Sequence, residues 1–172
     1  GLPKATMDIP EGMEVQNTGK VFAIGKVTGT GALGGLVDFG NGVSGYNTWK
    51  VGNETTYRWS GKVTGPSTAF VKIGSGKLTA GAGWDNTGSV KVAEGELCLT
   101  SGNVIGTGAV TVDKDARLSG VTGTTALTNS SFTINGELVV GAFANATSGK
   151  INFGGKNVTI SSTGKYVVGK GS

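Results

Sequence analysis

Glycine interrupts short apolar runs throughout this sequence, most clearly over residues 70–102, which read FVKIGSGKLTAGAGWDNTGSVKVAEGELCLTSG. Runs such as KLT, VKV and LCL are too short for a helix, and no two-residue hairpin turn joins them. Glycine supplies 33 of the 172 residues, whereas three prolines and the lack of a Gly-X-Y period exclude collagen. Because apolar residues alternate regularly with Thr-rich polar positions, the chain is predicted to be all-β.

The strand-like runs recur with a period of about 20 residues. Two interleaved series of run starts follow this period: Leu36, Tyr57, Leu78, Leu97, Leu118, Leu138 and Val158; and Val27, Trp49, Phe70, Val90, Val110, Phe132 and Ile151. Such a repeat has the size of one coil of a parallel β-helix, whose coils stack about 4.8 Å apart. We therefore predict one domain, residues 1–172, folded as a right-handed single-stranded parallel β-helix with about 20 residues per coil.

Alternation along each strand assigns side chains to the core or to the surface. The inward set is predicted to include Leu97, Leu99, Val90, Val92, Val110, Val112, Phe132, Ile134, Leu138, Val140, Ile151, Phe153, Val158 and Ile160. The residues between them, such as Lys91, Cys98 and Thr111, are predicted to face outward. Cys98 is interpreted as a small surface residue.

The first 20 residues differ from the repeat and are predicted to form an N-terminal cap. They hold Pro3 and Pro10, and proline cannot donate to a strand ladder. Solenoids need caps over their open ends. Met7, Ile9 or Met13 is therefore expected to lie over the open core.

Residues 55–124 resemble the autotransporter-associated β-strand repeat. The resemblance rests on three groups of motif residues: Lys72, Gly74, Gly76 and Leu78; Asn86, Gly88, Gly95 and Leu97; and Gly106, Gly108, Ala109, Val110 and Val112. Trp84-Asp85 before Asn86, and the missing aromatic near Thr87-Gly88, depart from the motif as loop variation.

The resemblance implies a non-catalytic stalk, adhesin or carrier segment, cut from a larger bacterial protein that is secreted or held at the cell surface. The outer-membrane barrel of true autotransporters is not in this sequence, so any attachment to the outer membrane is expected to come from other parts of the parent protein. The expected partner is a host or neighbouring-cell surface, with carbohydrate as one candidate ligand and end-to-end self-association as another mode of contact.

Other classes of function receive little support from the residues. Lysines are spread along the chain and form no basic block, so no nucleic-acid partner is expected, and no apolar stretch is long enough to insert in a membrane. With no histidine and one cysteine, neither a metal site nor a cofactor is expected. The only compact charged group, Asp113, Asp115 and Arg117, is interpreted as a strand corner rather than a catalytic site, although polysaccharide-degrading β-helices remain the alternative class.

Aromatic residues suggest the one candidate ligand site. Trp49, Tyr57 and Trp59 fit inward positions and are expected to fill the core. Trp84 is predicted to be exposed in a loop with Asp85 and Asn86, where its ring would stack on a sugar.

Overall fold

Each glycine-flanked apolar run forms a short strand. The computed structural model describes residues 3–17, 21–35, 48–100, 105–121, 127–140, 153 and 155–168, and these contain no helix, hence none that could span a bilayer. The strands are β1 (Thr6–Ile9), β2 (Glu14–Asn17), β3 (Val21–Ile24), β4 (Lys26–Gly29), β5 (Ala32–Gly35), β6 (Thr48–Val51), β7 (Tyr57–Trp59), β8 (Lys62–Val63), β9 (Ala69–Lys72), β10 (Lys77–Ala80), β11 (Val90–Val92), β12 (Glu96–Leu99), β13 (Val110–Val112), β14 (Arg117–Val121), β15 (Ser131–Ile134), β16 (Glu137–Val140), β17 (Asn157–Ile160) and β18 (Lys165–Val168).

All strand pairs are parallel and join one coil to the next, so the described chain is a β-solenoid. One sheet stacks seven strands in the order β3-β6-β9-β11-β13-β15-β17, and a second stacks six in the order β7-β10-β12-β14-β16-β18. A third side carries the sheet β2-β5-β8, and β1-β4 form a fourth sheet. The predicted all-β parallel solenoid is confirmed, while its right-handed sense stays a prediction from the crossover rule.

The predicted period is confirmed in the middle of the chain. In the six-stranded sheet, direct register partners follow the sequence Tyr57, Leu78, Leu97, Leu118 and Leu138. In the seven-stranded sheet they follow Trp49, Phe70, Val90, Val110 and Phe132. The two interleaved series are therefore two sides of the same coils.

Toward both ends the predicted series are wrong. Val27 pairs with Met7 in the small β1-β4 sheet, and Val158 is the partner of Phe132 rather than of Leu138. Leu138 pairs instead with Tyr166, 28 residues later. Two coils are longer than the period, because they include residues 36–47 and 141–152, which lie outside the described residues, as do the predicted positions Leu36 and Ile151.

The core is built from ladders of inward side chains. Leu97, Leu99, Phe132, Ile134 and Leu138 are each at most 1% exposed. Trp49, Tyr57 and Trp59 are also buried, as their alternation predicts. Ile160, predicted to be inward, is 45% exposed because β17 is the last strand of its sheet and no described coil covers it. The side chain of Val140 lies outside the described part.

Cys98 is buried, and its predicted surface exposure is wrong. It has the outward parity, with Thr79 and Ser119 as its register partners. Its sulfur nevertheless lies close to Gly120 of the next coil, and Cys98 is buried there. Residues about 20 positions away in sequence bring about this burial.

The first coil is built from ladder strands. β1 and β2 pair in parallel with β4 and β5, and Pro10 lies in the corner between them. Ile9 is 1% exposed and Met7 packs against the core, whereas Met13 is 60% exposed, so its expected place over the core is wrong. Whether this coil caps the solenoid stays a prediction.

Glycines allow the coils to turn within contact distance of one another. Gly95 has a φ of +63°, and a Cβ there would lie 2.4 Å from the carbonyl oxygens of both Gly74 and Gly76. Gly106 has a φ of +71°, and its Cβ would lie 2.3 Å from the carbonyl oxygen of Asn86. Backbone atoms cannot move aside as side chains do, so these two corners require glycine.

Candidate functional site

Trp84 lies in the core, and the predicted exposed ring is wrong. It is 1% exposed and forms a parallel bridge to Ile105 on the third side of the coil. Its ring centroid is 4.6 Å from that of Phe70 and 6.1 Å from that of Trp59, both in tilted arrangements. A sugar-stacking surface built on this ring would need it at the surface.

This burial is hard to predict from the sequence, because among the described residues the third side of the coil has no regular strand after β8. Trp84 and Ile105 each contribute a single bridge, so no alternation marks their inward direction. The glycine-rich surroundings of Trp84 then look like a loop.

The two residues after Trp84 have different environments. Asp85 is exposed and forms an ion pair with Lys62 at 3.4 Å, a geometry that water screens strongly. Asn86 is fully buried, and its side-chain amide donates hydrogen bonds to the carbonyl oxygens of Thr68 at 2.9 Å and Gly88 at 3.2 Å. The three predicted site residues therefore do not share one accessible surface.

Buried asparagines recur at the same corner of the solenoid. Asn129 donates to the carbonyl oxygens of Ile105 at 3.0 Å and Gly108 at 2.9 Å, and Asn17 donates to the carbonyl of Thr48 at 3.3 Å. Each follows a packed apolar residue by two positions, in the segments VQN, WDN and LTN. An asparagine two positions after a core residue is therefore the pattern by which the sequence could have predicted these corner residues. The hydrogen bonds give Asn86 a role in coil stacking.

Lys72 is the most unusual titratable residue of the described core. Its register partners are Val51 and Val92, so it occupies an inward position, and it is 1% exposed. Its amine reaches the corner and donates to the carbonyl oxygens of Ile73 at 2.8 Å, Gly74 at 2.7 Å and Glu94 at 3.2 Å. The side chain thus binds its own corner to that of the next coil.

Burial changes the pKa of this amine. Loss of hydration lowers the pKa of Lys72 to about 8, although the carboxylates of Glu94 and Glu96 favour the charged form. The Glu94 carboxylate also accepts a hydrogen bond from the Gly74 amide at 3.1 Å, which holds it beside the lysine corner.

We expect Lys72→Met to change how stability depends on pH. An unfolded lysine has a pKa near 10.5, so between pH 8 and 10.5 the unfolded chain binds more protons and the wild type gains stability as pH rises. The free energy of unfolding of wild type minus that of Lys72→Met should therefore rise by about 2 kcal/mol across this window. Denaturant titrations at several pH values measure this difference.

The comparison cancels other titrations in the same range. Burial raises the pKa of Tyr57 to about 12, which removes stability as pH rises above 10, but this residue is present in both proteins. Lys50→Met, in the exposed position of an adjacent strand, controls for the loss of one positive charge. A difference that is constant with pH would contradict the account of Lys72.

Charged residues of alternating sign form a ladder along the six-stranded sheet. Its members, each the register partner of the next, are Lys77, Glu96, Arg117, Glu137 and Lys165. Nitrogen-to-oxygen distances from rung to rung are 2.9, 3.9, 2.7 and 3.8 Å. We call these five residues the charge ladder.

The centre of the charge ladder is partly shielded from water. Burial alone would raise the pKa of Glu96, but hydrogen bonds from Ser119 and Lys77 and the charges of Lys77 and Arg117 outweigh it and lower the pKa. Arg117 donates from Nε and Nη2 to one oxygen of Glu137, at 2.9 and 2.7 Å. Each pair is worth at most about 1 kcal/mol, and together they favour one stacking register.

The group Asp113, Asp115 and Arg117 does not converge. Asp113 forms an ion pair with Lys91 at 2.8 Å, Asp115 lies at the corner with a φ of +65°, and Arg117 belongs to the charge ladder. Beside them runs an open groove lined by Glu96, Lys114, Asp115, Arg117, Glu137 and Lys165, among others.

In the part of the chain that the structure describes, no group of three or more His, Cys, Asp or Glu residues is placed to hold a metal ion. No family model, curated protein or solved structure matches this chain.

Proposed function

We propose that this chain is a non-catalytic shaft segment of a larger bacterial surface protein. The observation that carries the proposal is the charge ladder, in which outer charged side chains bond from coil to coil. A ligand site needs polar groups directed at a common point, whereas these groups pair along the axis. Such pairing favours a straight, stiff rod over a binding surface.

The motif residues support the same proposal, because they occupy positions that build coils. Lys72 and Asn86 bind corners together, and Leu78 and Leu97 are register partners in the core. Similarity to the autotransporter-associated β-strand repeat would then reflect the requirements of stacking. We place the parent protein among secreted or outer-membrane-associated bacterial proteins, with this segment as a stalk or adhesin.

Surface display tests the shaft. The chain would be placed between an outer-membrane anchor and a terminal epitope, with Leu97→Asp as the matched control because it puts a carboxylate at a fully buried position. We expect the wild-type shaft to resist external protease and to hold the epitope roughly 30 Å from the anchor, from seven strands stacked about 4.8 Å apart. The control should be degraded.

Degradation of the wild-type shaft under these conditions would contradict the proposal. Attachment of the displaying bacteria to host cells, above that of cells displaying the anchor alone, separates an adhesin from a passive stalk. The proposed partner in that case is a host or neighbouring-cell surface, with carbohydrate as its candidate ligand.

The groove beside the charge ladder supports a second candidate function, that of a carbohydrate-binding or polysaccharide-degrading β-helix. Lys114, Arg117 and Lys165 line this groove and are the cations that would pair with the carboxylate of an acidic sugar. Glu96 and Glu137 are the carboxylates that polysaccharide hydrolysis would use. Calorimetric binding of an acidic polysaccharide by the wild type, lost in Arg117→Ala, would favour this function over the shaft.

A further inference from the structure

The outer face of the third side is recessed at β5. The strands β2, β5 and β8 pair in parallel there, with Gln16 opposite Gly34 and with Ala32 between Glu14 and Lys62. Gly34 has no side chain, and the three atoms nearest to a Cβ at its position all belong to the side chain of Glu14. Between the larger side chains of β2 and β8, the outer surface of β5 is therefore left open.

Polar side chains line this recess, which we call the third-side trough. Its volume is about 470 Å³, within the size range of sites for small ligands, and its lining residues are Glu14, Gln16, Lys62, Thr64, Gly65, Pro66, Asp85 and Thr87. The residues from β2 and β8 alternate with Val15 and Val63, which pack into the core. The trough therefore opens sideways, and coils stacked on either end of the solenoid would leave it accessible.

The hydroxyl group of Thr64 lacks a partner in the third-side trough. Thr64 is 8% exposed, and its Oγ1 has no hydrogen-bond partner among the described residues. Its backbone N–H donates to the carbonyl oxygen of Leu33 at 2.9 Å, which places it beside Gly34 at the recess. A buried hydroxyl without a partner is unfavourable, and a polar ligand in the trough would satisfy it.

The neighbouring groups offer both donors and acceptors. Asp85 and Lys62 are exposed and 3.4 Å apart, so water screens their ion pair, and the carboxylate of Glu14 is also exposed. The Oγ1 of Thr87 accepts a hydrogen bond from the Ser67 amide at 2.9 Å, which leaves the hydroxyl proton to be donated. This bond holds Ser67 at a φ of +61°, a strained conformation at the edge of the trough.

This set of groups restricts the chemical class of the ligand. The carboxylates of Glu14 and Asp85 would repel an anion, and an apolar molecule would leave the polar walls without partners. In the described part of the chain, no group of three or more His, Cys, Asp or Glu residues is placed to hold a metal ion. A neutral sugar has hydroxyl groups that donate to carboxylates and accept from hydroxyl and amine groups, so it matches the trough.

We propose that the third-side trough binds a neutral saccharide. Thr64 and Thr87 donate to its oxygen atoms, and Glu14 and Asp85 accept hydrogen bonds from its hydroxyl groups. The site gives the adhesin form of the proposed function a ligand class and rests on that form. It is distinct from the groove beside the charge ladder, whose cations fit an acidic sugar.

Saturation-transfer NMR with the methyl glycosides of glucose, galactose and mannose, each added alone, tests the site. We expect transfer to at least one glycoside. Thr64→Val removes the hydroxyl and keeps the shape, so it should raise the Kd of that glycoside about three- to tenfold. The variant should melt no lower than the wild type, because the hydroxyl has no partner to lose.

A second variant fills the trough. Gly34→Thr adds a side chain at β5, where the flexible and exposed side chain of Glu14 is what must move aside, and it should abolish the transfer. Thr111→Val, the same change as Thr64→Val at an outward position of β13, should bind the glycoside as the wild type does. Melting curves check that each variant is folded.

Three outcomes would overturn the proposal. The first is no transfer to any of the three glycosides, and the second is a Kd that neither trough variant changes. The third is binding that both trough variants keep and Arg117→Ala loses, which would place the sugar in the groove beside the charge ladder. Protease resistance of the displayed chain tests the shaft independently, so a resistant chain that binds no glycoside rejects the trough alone.

Discussion

Replacing Trp84 with alanine is expected to cost about 3 to 5 kcal/mol of unfolding free energy. The ring is 1% exposed and contacts Phe70 on another side of the same coil and Trp59 of the preceding coil, so its removal leaves a cavity between the two coils. The rigid backbone corners around it leave little room for collapse. Chemical denaturation followed by circular dichroism measures the loss.

Two further variants separate burial from other causes. Asp85→Ala, next in sequence but exposed, should cost at most about 1 kcal/mol, because its ion pair with Lys62 is screened. Trp84→Phe should cost clearly less than Trp84→Ala, since it keeps an aromatic ring and removes an indole N–H that has no partner among the described residues. A loss below 1 kcal/mol for Trp84→Ala is what an exposed ring would give, and it would contradict the packing described.

The ladders from Tyr57 to Leu138 could be predicted because their coils have nearly equal length. With equal coils, a sequence period becomes a spatial register. The prediction failed at Val27 and Val158, where longer coils shift the register without changing the appearance of the strands. Coil length depends on the loops, and alternation within a strand carries no information about it.

The candidate site was harder to predict than the core. The burial of Trp84 depends on a third side of the coil that one bridge marks, and the sulfur of Cys98 lies against Gly120 of the next coil. Lys72 shares its parity with Phe70, so alternation indicates that it is inward, but only the corner carbonyls explain how a charged amine is held there. Contacts between coils therefore account for what a single strand cannot predict.

Leu97→Ala is expected to destabilise the protein by about 2 to 5 kcal/mol. Leu97 is fully buried, with Leu78 and Leu118 as its register partners in the adjacent coils, so the missing methyl groups would leave a gap in the middle of a ladder. In a solenoid each coil contacts only its neighbours, so this gap weakens two stacking contacts at once.

Thr111→Ala provides the matched comparison on the outer face. Thr111 lies between Val110 and Val112 on β13 and points away from the core, so its truncation removes little buried surface. We expect a loss well under half of that for Leu97→Ala, measured in the same denaturant titration. Equal losses in the two variants would contradict the assignment of inward and outward faces. Since the same alternation assigns every ladder of the solenoid, that result would undermine the core as a whole.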